Sequence, residues 1–306
     1  MTTESTFDLR RLAPALGAEA RCGDVKQLAE RDFAAIRAAL NDHLVLLFRE
    51  QHLTDEDLIA FGRHLGDIDV APLAYTDDQQ QRKHPEVLII SNVKENGVPI
   101  GVLGDAEVIW HSDNSYRETP LAHSLLYARE LPPAGGETEF ANMYLAWETL
   151  PRELQERVRT LTIKHDLTYN SAGQLRRGFP HVTDPVIAPG PLHPIVRTHP
   201  ETGHHALYLG RRPNAYIPGL PVEESERLIN TLWTHATRPE SVWSHTWRVG
   251  DILIWDNRCL MHRRNPFDPH SRRIMHRLQF KGGRPYYDPR AETRGRHPRS
   301  VGQPAS

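Results

Sequence analysis

Along most of the chain the apolar residues fall in short runs broken by Gly, Pro, Asn and Asp, and only a few stretches carry the spacing of a helical face. Residues 24–43 repeat Leu28, Phe33, Ile36 and Leu40 among charges, which predicts a helix with Asp24 as its N-cap. Thr54-Asp-Glu-Asp57 reads as a capping box with Asp in the usual Glu position. Leu58, Phe61 and Leu65 then mark a second helix that should stop near Gly66. Further helices are expected from Leu150-Pro151, with Leu154, Val158 and Leu161 inward, and over 223–237, with Leu228, Ile229, Leu232 and Trp233 inward. The remaining runs read as strands: 44–48, 86–93, 122–128, 137–141, 242–248, 252–255 and 273–280, with an extended stretch over 108–116 and a hairpin from 194–199 and 206–210. Glu95-Asn96-Gly97 carries a turn signal. Many short strands, few helices and no regular strand–helix alternation predict a mostly β fold with flanking α-helices, a jelly-roll-like barrel rather than a doubly wound sheet. Residues 166–194 form a polar, Gly/Pro-rich segment whose length marks a lid or insertion within a single domain spanning 1–287, and 288–306 should be a flexible C-terminal tail.

Composition narrows the classes without changing this picture. The 306 residues are 39% hydrophobic with a formal charge of −2, so no basic excess points to nucleic acid. Two cysteines are too few for a disulfide framework, no charged-then-apolar leader opens the chain, and no apolar run approaches the ~20 residues of a membrane span. A soluble cytoplasmic protein that acts on a small molecule is expected. A Gly-rich phosphate loop and a nucleophile elbow are both missing from the sequence.

The chemistry gathers around Val108-Ile-Trp-His-Ser-Asp113. In an extended segment residues i and i+2 point the same way, so His111 and Asp113 can converge on one metal ion. A third candidate ligand, His262, closes the run Trp255-Asp-Asn-Arg-Cys-Leu-Met-His262. Two imidazoles and a carboxylate make the facial triad of non-haem Fe(II) oxygenases, and they also suit a zinc-dependent hydrolase or a non-catalytic metal-binding barrel. Arg273 and Arg277 lie in the last strand, and a guanidinium inside a barrel calls for a carboxylate or similar anion, which a zinc hydrolase leaves unexplained. His276, between them in an alternating strand, should face away.

The runs WHSDNSY, GGETEF, GDILIWDNRCLMH and RRIMHR, with LVLLFREQHLT, HPIVRTHPETG and PGLPVEESERL, resemble the taurine/aryloxyalkanoate (TauD/TfdA) family of Fe(II)- and 2-oxoglutarate-dependent dioxygenases over roughly residues 15–287. The resemblance implies a double-stranded β-helix, with Fe(II) bound by His111, Asp113 and His262. It implies that Arg273, assisted by Thr138, holds the distal carboxylate of 2-oxoglutarate, with Arg277 near the anionic end of substrate or cosubstrate. O2 would be consumed, succinate and CO2 released, and a substrate carbon hydroxylated. A carboxylate at Asp113, where related halogenating enzymes have Gly or Ala, implies oxygenation. A homo-oligomer, dimer or tetramer, is the family's habit. The chain departs from the taurine enzymes where their sulfonate-binding His and Tyr fall on Ala71 and Ala74 and an Asn becomes Glu107. The expected substrate is therefore another small organic acid, an aryloxyalkanoate, sulfonate or sulfate ester, met by Tyr75, Glu107, Asn114, Tyr169 and Arg211.

Overall fold

Alternating apolar positions build two principal sheets around one shared core. The computed structural model describes residues 7–70, 83–103, 108–210 and 213–291. In chain order its strands are β1 (Asp8–Arg11), β2 (Ala18–Arg21), β3 (Val45–Phe48), β4 (Leu88–Ser91), β5 (Lys94–Glu95), β6 (Val98–Pro99), β7 (Val102–Leu103), β8 (Val108–His111) and β9 (His123–Glu130). They continue as β10 (Thr138–Asn142), β11 (Thr162–Lys164), β12 (Leu192–Pro194), β13 (Val196–Thr198), β14 (His205–Leu207), β15 (Val242–His245), β16 (Ile252–Asp256), β17 (Leu260–Arg264) and β18 (Ile274–Gln279). The helices are α1 (Glu30–His43), α2 (Asp55–Arg63), α3 (Met143–Glu148), α4 (Arg152–Val158) and α5 (Val222–Ala236). The larger sheet runs β1-β2-β3-β16-β9-β18-β4-β7 and the smaller β15-β10-β17-β8.

The large sheet is apolar on both faces, which is why β3 reads as an unbroken run. Val45 and Leu47 join Leu126, Leu253 and Trp255 in a core completed by Trp110, Phe140 and Met261 of the small sheet. Leu46 and Phe48, with Leu125, Ile252 and Ile254, point the other way onto Phe33, Ile36 and Leu40 of α1 and Leu58 and Phe61 of α2. Period-two alternation thus divides β3, β9 and β16 between two cores.

Several elements differ from the sequence expectation. The helix over 24–43 is two pieces. Asp24 caps a short 3-10 turn at Val25–Gln27, and α1 proper begins after an extended Leu28-Ala29, where the Asp32 carboxylate accepts the Ala29 N–H at 2.8 Å. The box at Thr54 and Asp57 forms as read, with bonds of 3.0 and 3.1 Å. Helix α3 was not read from the pattern because six residues are too few to display a period, and Asn142 caps it through the Leu145 N–H at 3.0 Å. The segment 166–194 ends in β12, which pairs with β11, so the irregular insertion is shorter than expected. Of the stretch from Gly282, residues up to 291 are tied down: the Thr198 N–H donates to the Tyr286 carbonyl at 2.8 Å and the Asp288 N–H to the Thr198 hydroxyl at 2.9 Å. The strand expected over 252–255 is β16, and after Asp256 the chain crosses through residues 257–259 to β17 of the small sheet, so His262 lands beside β8. Among the described residues no helix is long and apolar enough to cross a membrane.

Candidate active site

Strand register assembles the ligand set. On the small sheet His262 of β17 stands opposite His111 of β8, and a register shift separates that pair from Arg264. On the other edge of β17, Thr138 of β10 pairs with Arg264. Just past β8 the chain turns at Asn114, in the left-handed region at φ 51°, a conformation Asn tolerates. Nε2 of His111 lies 3.5 Å and Nε2 of His262 3.6 Å from Oδ1 of Asp113, and the three ligand atoms fall within 4.8 Å of one another. All three residues are buried.

Their partners leave the metal-facing atoms available. Nδ1 of His111 donates to the Ile109 carbonyl at 2.8 Å, which puts the lone pair on Nε2. Oδ2 of Asp113 accepts from the Ser124 hydroxyl at 2.6 Å and pairs with Arg277, so Oδ1 alone faces the two imidazoles. Asn257 steadies this corner: its Oδ1 accepts from the Asp113 N–H at 3.3 Å and from Trp255 Nε1 at 3.0 Å, and its Nδ2 donates to Ser124 at 3.0 Å. Burial pushes the Asp113 carboxyl up, but the fields of Arg277, His262 and His111 together outweigh it and hold it well below the usual carboxylate range. The carboxylate is ionised and ready to bind a cation.

A cavity of about 50 Å³ opens from His111 and His262 toward Thr138 and three arginines, Arg264, Arg273 and Arg277, with Trp255 as one wall. Arg273 is 1% exposed, and its Nε and Nη2 meet no hydrogen-bond partner among the described residues. Burial first, and then the like charge of Arg264, lower its pKa to about 9. Gly136, at φ +73°, leaves this guanidinium room: a Cβ there would come 3.3 Å from Arg273 Nε. Thr138 Oγ1 accepts from Trp247 Nε1 at 3.0 Å, so its own proton is free to be donated. A lone buried guanidinium beside a hydroxyl donor fits one end of a small dicarboxylate, and the cluster at the other end fits a divalent metal that a 2-oxo acid can chelate.

The structure therefore brings together His111, Asp113, His262, Thr138, Arg273 and Arg277, although Arg277 is engaged by Asp113. His276 does face away, onto Asp55 at 2.6 Å. Asn114 and Tyr169 do not line this cavity. The Asn114 side chain accepts from the Tyr116 hydroxyl at 2.9 Å, and Tyr169 belongs to the insertion, which is joined to β8 where the Ile109 N–H donates to the Ser171 carbonyl at 3.0 Å. Tyr75, Glu107 and Arg211, with Ala71 and Ala74, lie outside the described residues. Sequence reasoning missed Arg264, which the two-residue period from His262 could have found had β17 been recognised as a strand. It also missed Ser124, Asn257 and Trp247, which carry no local signal because their bonds cross between distant segments.

This fold and cluster define a metal-dependent oxygenase site, and the comparisons give the family. The family model described as "Taurine catabolism dioxygenase TauD, TfdA family" matches residues 8–279. An (S)-phenoxypropionate/alpha-ketoglutarate-dioxygenase of Sphingobium herbicidovorans is 33% identical over 305 residues, covering 94% of this chain and 97% of that protein. An alpha-ketoglutarate-dependent 2,4-dichlorophenoxyacetate dioxygenase of Cupriavidus pinatubonensis is 34% identical over 266 residues, covering 82% and 88%. Among solved structures, AAD-2 in complex with Mn(II) and N-oxalylglycine superposes with a TM-score of 0.73 at 32% identity over 92% of this chain and 99% of that one. The chain belongs to the TauD/TfdA family and is a 2-oxoglutarate-dependent dioxygenase, an oxidoreductase.

Proposed function

We propose that this enzyme uses Fe(II), held by His111, Asp113 and His262, to hydroxylate a small organic acid of the aryloxyalkanoate, sulfonate or sulfate ester class, with the two sheets forming a double-stranded β-helix. The observation that carries the reading is Arg273, a buried guanidinium whose Nε and Nη2 have no hydrogen-bond partner among the described residues, in the cavity lined by His111 and His262. Fe(II), when bound, supplies the redox chemistry that couples O2 and 2-oxoglutarate decarboxylation to oxidation of a substrate carbon. The chain's own groups do the rest. Arg273 and the Thr138 hydroxyl take the distal carboxylate and so fix the direction in which the 2-oxo acid end reaches the metal ligands. Arg277 holds Oδ2 of Asp113, leaving one carboxylate oxygen as ligand, and its charge favours an anionic group entering beside it. Trp255, whose ring lies tilted with its centroid 4.9 Å from that of His262 and is fully buried, keeps water from that side. In this reading the 166–194 insertion, joined to β8, acts as the lid and brings Tyr169 to the substrate, and Asn114, Tyr75, Glu107 and Arg211 are the further candidate contacts. The aryloxyalkanoate class is favoured because the two relatives above are named for phenoxypropionate and 2,4-dichlorophenoxyacetate. A zinc hydrolase would leave Arg273 without a purpose.

Anaerobic reconstitution with Fe(II) and 2-oxoglutarate should produce the metal-to-cosubstrate absorption band. Admitting O2 with a panel of aryloxyalkanoates, sulfonates and sulfate esters should yield succinate. Arg273→Gln should still bind Fe(II) yet fail to form the band at 2-oxoglutarate concentrations that saturate the parent. Absence of succinate with every acid, or normal saturation of Arg273→Gln, would overturn the reading.

A further inference from the structure

Arg197, on β13, raises a separate question. It is 3% exposed, and its Nε and Nη1 have no hydrogen-bond partner among the described residues. Its guanidinium lies 4.7 Å over the Tyr208 ring, which covers one face and leaves the nitrogen edge for any ligand. The acids nearby are already committed. Asp256 accepts from Arg258 Nε at 2.8 Å, from Arg258 Nη2 at 2.7 Å and from His199 Nε2 at 3.0 Å. Glu201 takes Arg258 Nη1 and Asn41. Burial depresses the Arg197 pKa more than the fields of Tyr208 and Asp256 raise it, and the Arg258 charge adds to the cost. A buried cation left this way is unfavourable unless an anion completes it.

The room for that anion exists. A cavity of about 290 Å³, near the small end of ligand pockets (~300–1,000 Å³), is lined by Arg197 and Arg258, by apolar Leu65, Ala122 and Phe280, and at its exposed rim by Lys281 and Arg284. Arg284 lies 3.3 Å from Glu118, and Glu201 is the one acidic residue of the lining. Cations therefore outnumber acids along the walls. The cavity shares no residue with the one beside His111 and His262. Two pairs of adjacent residues join them: Asp256 and Asn257, and His123 and Ser124, serve Arg258 and Asp113 respectively.

We propose that this cavity is a second anion site, distinct from the metal centre, which binds a small oxyanion through Arg197 with Lys281 at its entrance. An acceptor oxygen of a carboxylate, sulfate or phosphate satisfies an open guanidinium nitrogen, and the apolar wall takes a short carbon skeleton. Because the active-site arginines also attract anions, the test compares variants of the full-length, metal-loaded enzyme. Melting temperature is followed against sodium sulfate, sodium phosphate and sodium succinate, each matched for ionic strength with sodium chloride. The expected result is a saturable rise that persists in Arg273→Gln, with the half-saturating concentration raised about tenfold or more in Arg197→Gln and also raised in Lys281→Glu, a rim variant that leaves the buried cluster intact. Without added anion, Arg197→Gln should be no less stable than the parent. Saturation by succinate alone supports a carboxylate ligand; saturation by sulfate or phosphate supports an inorganic oxyanion or its ester. A response that never saturates, one unchanged in both Arg197→Gln and Lys281→Glu, or one lost in Arg273→Gln overturns the proposal.

Discussion

At the scale of single residues, the ligand cluster depends on side chains that never face the metal. Asn257 joins three parts of the site at once, the Asp113 backbone, the Trp255 indole and the Ser124 hydroxyl, and Ser124 in turn holds Oδ2 of Asp113. Removing such an orienting partner characteristically weakens metal binding by ~10–100-fold. Asn257→Ala should therefore lose metal affinity in that range by chelator competition while its far-ultraviolet circular dichroism stays native. Unaltered affinity would show that the register alone positions Asp113. His111 and Asp113 were visible as candidates from strand alternation, but Asn257 was not. Nothing in Trp-Asp-Asn-Arg says which of its polar side chains turns toward the backbone N–H of Asp113, 144 positions away.

At the scale of elements, the insertion is attached by a short ladder. The His165 N–H donates to the Pro191 carbonyl at 3.0 Å and the Leu167 N–H to the Pro189 carbonyl at 2.9 Å. Gly190 sits between these rungs at φ +155°, and a Cβ there would lie 2.1 Å from the His165 carbonyl oxygen. Gly190→Ala must push the two segments apart. Cleavage by limited proteolysis should increase within 166–194, and turnover should fall, while the melting temperature moves far less than it would for a core substitution. A parent-like digestion pattern would mean that the ladder yields without loosening the insertion. Element existence was largely readable because β3, β9, β16 and β18 are apolar runs bounded by turn residues, and Thr54 carries its cap in three adjacent acids. The misses were a boundary, the extended Leu28-Ala29 inside a helical pattern, and two short elements, α3 and β17, whose five or six residues are too few to display a period.

At the scale of the whole molecule, many histidines are buried neutral. His193, His199, His245 and His276 are all shifted below the ordinary value of 6.5, burial being the largest cause in each. The unfolded chain takes up protons at these positions just below pH 6.5, whereas the folded chain does not. Their contribution to stability is thus complete above pH 6.5 and is lost as the pH falls from there toward the folded values. Asp113 and Asp256, held well below 3.8, add a further loss only at more acidic pH. The urea midpoint should be lower at pH 5.5 than at pH 7.5, and an equal or higher midpoint at pH 5.5 would refute this account.

The sequence by itself determined the kinds of element, the two-faced burial of the central strands and the residue types able to bind a metal and an anion, because alternation and side-chain chemistry are local properties. Only the tertiary structure decided which of these meet. It set His262 opposite His111 by moving the chain from one sheet to the other after Asp256, paired Arg277 with Asp113, and left Arg273 and Arg197 as buried cations in separate cavities. Register, sheet exchange and the absence of a partner depend on segments far apart in the chain, so no reading of neighbouring residues could supply them.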